Sequence, residues 1–202
     1  FNPLFVLPVV VIISLLTNKV NNLWLATLYS ISFSLLFFDQ DYTSIEHHDV
    51  ETYIRMYHNV DNFSYIYLIE RFYTSLMHNE FIWFYYMKTI GTISGYNTHF
   101  FVYTTYLLIF SLSAYLTYIV SKTNSSYFPF LLFCFIFVNL SFQYNAFRMW
   151  RHTIGPLLFI IGMVKFNAGS SNINARIIMY ISLFIHIVLI PFVLSFELYN
   201  FV

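Results

Sequence analysis

Two arginines, Arg148 and Arg151, stand in the stretch NAFRMWRHTIGPLLFII, residues 145–161, at the mouth of an otherwise apolar run. A guanidinium keeps its charge at any physiological pH and grips phosphate oxygens two at a time. A pair of them at such a place therefore predicts an anionic ligand, a diphosphate headgroup above all. On a helix Asn145, Arg148, His152 and Gly155 follow at steps of three, four and three, which sets them on one face with Arg151 beside it. The competing expectations are snorkelling to lipid phosphates and pairing with an acidic loop. His186, about midway along the apolar run LFIHIVLIP and five residues before Pro191, is a candidate proton-transfer group or cross-helix hydrogen-bonding residue. Glu70, in IERFY, is an acid or base if burial raises its pKa, and otherwise an ion-pair partner. Asp49, Tyr53 and Tyr57 recur every four residues and share one face if helical, which makes Asp49 and Tyr53 candidates for carbohydrate or headgroup contact. His47, His48 and Asp49 are adjacent, but no second spaced ligand set completes a zinc pattern, so no metal or other cofactor is expected.

The elements that must hold these groups are membrane helices. Hydrophobic residues make up 59% of the chain and charged ones 9%, and the mean hydropathy is +0.67. A soluble domain carries nearer a quarter charged residues. Nine basic and nine acidic residues cancel, so no global field points to nucleic acid. The single cysteine, Cys134, sits in an apolar run and supports neither a disulfide framework nor a thiolate site. Walker, GxSxG, HExxH and GxGxxG motifs are lacking, which leaves ATP hydrolysis and serine-triad chemistry without support.

Apolar runs at 3–17, 23–38, 99–120, 128–144, 153–166 and 177–196 predict an all-α, polytopic integral membrane protein with about six transmembrane helices. Between them, residues 39–61 hold six acids against Arg55 alone, the composition of an extracytoplasmic loop. Residues 65–96 are apolar but interrupted by Glu70, Arg71, His78, Glu80 and Lys88, which suits interfacial helices. The expectation is thus one membrane domain over 1–202, with 39–97 forming the loop and its interfacial helices. Opening on Phe1 and ending inside an apolar run, it reads as a truncated piece of a longer chain. Lys19, Lys122, Lys165 and Arg176 then fall inside and Arg148 and Arg151 outside, against the positive-inside tendency.

The order of features resembles the Wzy-type O-antigen and exopolysaccharide polymerases, in particular the EpsG-like branch. The matching stretches are Asp49-V-E-T-Tyr53, Glu70-R-Phe72-Tyr73, Arg151-His152-T-Ile154-Gly155, and His186 followed by Pro191. Two positions depart from the pattern: His152 replaces a glutamine and Gly155 an alanine. The resemblance implies a bacterial inner-membrane glycosyltransferase acting at the periplasmic face. It would transfer an undecaprenyl-diphosphate-linked oligosaccharide onto another lipid-linked repeat unit. Membrane lipid and a chain-length regulator protein are the implied partners. Arg148 and Arg151, with Asn145, His152 and Tyr53, would bind substrate, and Glu70, Asp49 or His186 would accept the acceptor's proton. Rival readings are a metal-dependent polyprenyl-phosphate glycosyltransferase, with Asp39 and Asp41 at a span end, and a lipid-linked oligosaccharide flippase.

Overall fold

The computed structural model describes residues 49–67, 81–123, 150–169 and 172–201, and it is all-helical there, with no strand among the described residues. Six α-helices carry the fold: α1 (Asp49–Asn59), α2 (Phe81–Ser94), α3 (Thr98–Thr123), α4 (Trp150–Asn167), α5 (Asn172–Ile185) and α6 (Ile190–Phe201). Helix α1 forms because Val50, Tyr53 and Tyr57 recur at helical spacing and bury against α2 and the start of α3. Glu51 and Arg55 sit on its exposed side, 3.7 Å apart, a pair worth little in water. The segment expected as an acidic outer loop therefore holds a packed amphipathic helix.

Helix α2 buries Trp83 and Met87 and stops where Gly95 and Tyr96 take positive φ, 63° and 59°. The Tyr96 amide donates to the carbonyl of Gly91 at 2.9 Å, closing a left-handed C-terminal cap. Tyr96 folds its ring over Gly91, where any Cβ would collide with it. Asn97 then caps α3, its Oδ1 accepting from the amide of Phe100 at 3.0 Å.

The 99–120 run is one helix, as expected. Residues Thr98–Val120 are 23 in number and, among the described residues, the one stretch long and apolar enough to cross a membrane. Helix α4 runs parallel to α3: Trp150 meets Phe101 and Tyr106 near their starts, and the Lys165 ammonium lies 5.4 Å from the Tyr115 ring farther along.

The 177–196 run is not the single span that its composition predicts. Helix α5 ends at Ile185, a 3-10 turn covers Ile187–Leu189, and α6 folds back along α5. The return is fixed by Glu197, which pairs with Arg176 at 3.1 Å and accepts from the Tyr180 hydroxyl at 3.0 Å. At about 1.5 Å per residue, the 14 residues of α5 span roughly 21 Å, short of the ~30 Å of a bilayer core. The physical cause is local. Pro191 has no N–H to continue the α-helical ladder, and the Leu189 amide bonds instead to the carbonyl of His186 at 3.1 Å.

This hairpin packs on α4 through two glycines seven residues apart. A Cβ on Gly162 would lie 2.5 Å from Met179 Cγ and 3.0 Å from the carbonyl oxygen of Ala175. A Cβ on Gly155 would lie 2.8 Å from His186 Cβ and 3.2 Å from Leu189 Cδ1. Helices approach this closely only where the side chain is absent. Gly162→Ala is expected to cost about 1–3 kcal/mol through overpacking against backbone. Thermal unfolding of the purified protein tests this, and an unchanged midpoint would mean that α4 and α5 stand farther apart.

Candidate functional site

The site grows from Trp150, fully buried at the start of α4. Its indole stacks on the Tyr53 ring at 5.4 Å and meets Phe101 and Tyr106 edge-on, both at 5.6 Å. Tyr53, 1% exposed, is closed off on another side by Trp83 at 5.6 Å. Helix α1 is thereby clamped to α2, α3 and α4 through one aromatic cluster. Each such pair contributes about 0.5–1.5 kcal/mol beyond its buried area.

With Trp150 turned inward, the next residue, Arg151, falls on the adjoining face, toward α1. Its Nε donates to the Tyr53 hydroxyl at 3.3 Å, a long hydrogen bond, and its Cζ stands 5.2 Å from the centre of the same ring. Two contacts on one side chain fix the plane of the guanidinium, and a fixed plane is what bidentate recognition of a phosphate requires. Tyr53, expected to touch substrate itself, is buried beneath the arginine, so its measurable contribution is to orient Arg151.

His152 and Gly155 share a face, as the helical spacing predicts, and that face meets the hairpin break. The His152 and His186 rings are in edge contact, with centroids 4.2 Å apart and planes at 66°. His186 is 7% exposed, whereas His152 reaches the surface. Pro156 withdraws the N–H that would otherwise bond the His152 carbonyl, which loosens the backbone beside the site.

One turn along α1 from Tyr53, Tyr57 lies buried with its ring stacked on Phe101 at 4.2 Å. Its hydroxyl shares a hydrogen bond of 2.8 Å with the Ser94 hydroxyl. Burial pushes its pKa above the ordinary phenol value, opposed by the Ser94 bond, so the group stays neutral and structural. Lys88 closes the same end: its Nζ donates to the Asp61 carbonyl at 2.9 Å and lies 5.6 Å from the Tyr96 ring.

Of the expected site residues, Tyr53 meets Arg151 on the side of α1, and His152, the next residue of α4, meets His186 on the side of the hairpin. Asp49 opens α1, one turn before Tyr53, and its side chain lies outside what the structure describes, as do Asn145, Arg148 and Glu70 altogether. Trp83, Trp150 and the role of Gly155 escaped sequence reasoning, although Trp150 directly precedes Arg151 and offered a signal. No family model, curated protein or solved structure matches the chain.

The Tyr53–Arg151 contact predicts its own coupling energy. A double-mutant cycle of Tyr53→Phe and Arg151→Met, read by unfolding free energy, should give about 1 kcal/mol, the scale of one hydrogen bond to a charged group. Additive effects would show that ring packing alone seats the arginine.

Proposed function

We propose that the protein is a polytopic membrane glycosyltransferase that extends a polysaccharide by moving a lipid-diphosphate-linked oligosaccharide onto a second lipid-linked repeat unit. The observation that supports this reading is that Arg151 meets Tyr53 and that His152, its neighbour on α4, meets His186. These residues belong to three of the four sequence stretches on which the polymerase resemblance rests, and they are as far as 98 and 133 positions from Tyr53 in the chain. The long apolar α3 and the parallel course of α3 and α4 support a membrane setting.

In this reading Arg151 receives the leaving diphosphate, with Arg148 as its expected companion. Negative charge accumulates on the oxygen that departs from the anomeric carbon, and an oriented guanidinium stabilises that charge more than it does the ground state. The acceptor hydroxyl loses its proton to a base, for which His186, Glu70 and Asp49 are the candidates. An inner-membrane location and a chain-length regulator as partner follow from the same resemblance.

Arg151→Ala at normal protein level is expected to collapse the surface polysaccharide ladder of the native host to single repeat units. An unchanged ladder would sink the diphosphate role. The break at His186 favours one second reading, a lipid-linked oligosaccharide flippase, because discontinuous helices line substrate paths in transporters. That reading predicts complete loss of surface polysaccharide on deletion of the protein, rather than collapse to one unit.

In this reading the hairpin returns Leu198 to the side of Asn167. With Cys134 replaced by alanine, cysteines introduced at Leu198 and Asn167 should react with an impermeant thiol reagent from one side of the membrane. A cysteine at Asn62 should react from the other. Labelling of Leu198→Cys and Asn62→Cys from the same side would restore 177–196 as a crossing.

A further inference from the structure

We propose, resting on the glycosyl-transfer reading, that His152 is a proton relay that takes the proton removed by His186 and passes it to water. His186 is buried at the hairpin tip, and a buried base must discharge its proton before the next turnover. Its ring lies against that of His152, with centroids 4.2 Å apart, and His152 is exposed at the start of α4. Rings this close exchange a proton after a small rotation or through one intervening water. Both groups are imidazoles, each able to hold a proton on one nitrogen and release it from the other.

The surroundings of the pair favour outward discharge. Arg151, the residue before His152 on α4, leaves the helix toward α1, where it contacts Tyr53. From the hairpin, the 3-10 turn and the start of α6 bring Leu189 and Phe192 to this end, both apolar. Tyr53 of α1 holds Arg151 from its other contact. Gly155 completes the arrangement, because a side chain there would drive His186 off α4.

The acceptor hydroxyl oxygen forms a bond to the anomeric carbon, and the bond from that carbon to the diphosphate oxygen breaks, its electron pair leaving with the diphosphate. The hydroxyl proton passes to one ring nitrogen of His186. The other nitrogen gives its proton to His152, which releases one to water, and both rings end neutral. His152 thus acts through His186 and is a positioning and relay residue, not one that touches the reacting atoms.

The test uses the full protein in native-host membranes supplied with its lipid-linked repeat units. His152→Gln and His152→Ala should lower turnover by roughly tenfold or more, with KM essentially unchanged. Added imidazole should restore the His152→Ala rate in a concentration-dependent way, which a structural role does not predict. Parental turnover in His152→Gln overturns the relay, and so does a loss in His152→Ala that imidazole leaves untouched. Parallel Arg151→Ala and His186→Ala variants separate the two levels. If both extend chains at the parental rate, the site reading itself fails. If both are inactive while His152→Gln is normal, the relay alone fails.

Discussion

The indole of Trp150 is the contact on which the described architecture depends. It is fully buried and touches α1 through Tyr53 and α3 through Phe101 and Tyr106, while Trp83 extends the cluster into α2. Helical geometry makes the consequence unavoidable, since successive residues turn by about 100°. If Trp150 points into the cluster, Arg151 must leave it on the side of α1 and His152 on the side of the hairpin. One buried aromatic thus directs two polar neighbours to two different partners. This explains how a cation is kept beside a dense apolar core: it lies at the core's edge, against the polar end and the face of a phenol.

Much of this was legible in the residues, for reasons that differ between elements. Helix α3 was readable because its apolar run is long, whereas the Asn97 cap that starts it was not read from the residues. The inward face of α1 was readable because Tyr53 and Tyr57 keep helical spacing inside an otherwise polar stretch. The break at His186 was not, because residues 177–196 are apolar all round and periodicity cannot distinguish a long helix from two short ones folded together. Pro191 was one clue, and another was the placing of Arg176, Tyr180 and Glu197, polar groups on either side of the break that meet only if the chain turns back. The left-handed residues after α2 were half visible, since Gly95 announces a helix end but Tyr96 does not. Glycines 155 and 162 read as ordinary small residues, because close helix approach is a pairwise property that no single helix displays.

The two ends of α4 are secured by different physics. At the far end Lys165 lies over Tyr115, Arg176 over Phe166, and Arg176 pairs with Glu197, so the base of the hairpin is held by charge and aromatic contact. At the near end the tip is held by shape, with His186 and Leu189 seated in the space that Gly155 leaves, and by the edge contact of the His152 and His186 rings. A spacing of seven residues between Gly155 and Gly162 returns almost to the same face of α4, so both contacts are met only in one register. Sliding α5 by one residue would turn His186 by about 100° away from α4. Rigid placement of this kind is what reacting groups need, because even a displacement of about 1 Å at a chemical site costs rate heavily. The position of His186 then follows from how α5 seats on α4. It is set by the close approach at each glycine, and any change to their spacing would move the His186 ring without touching it.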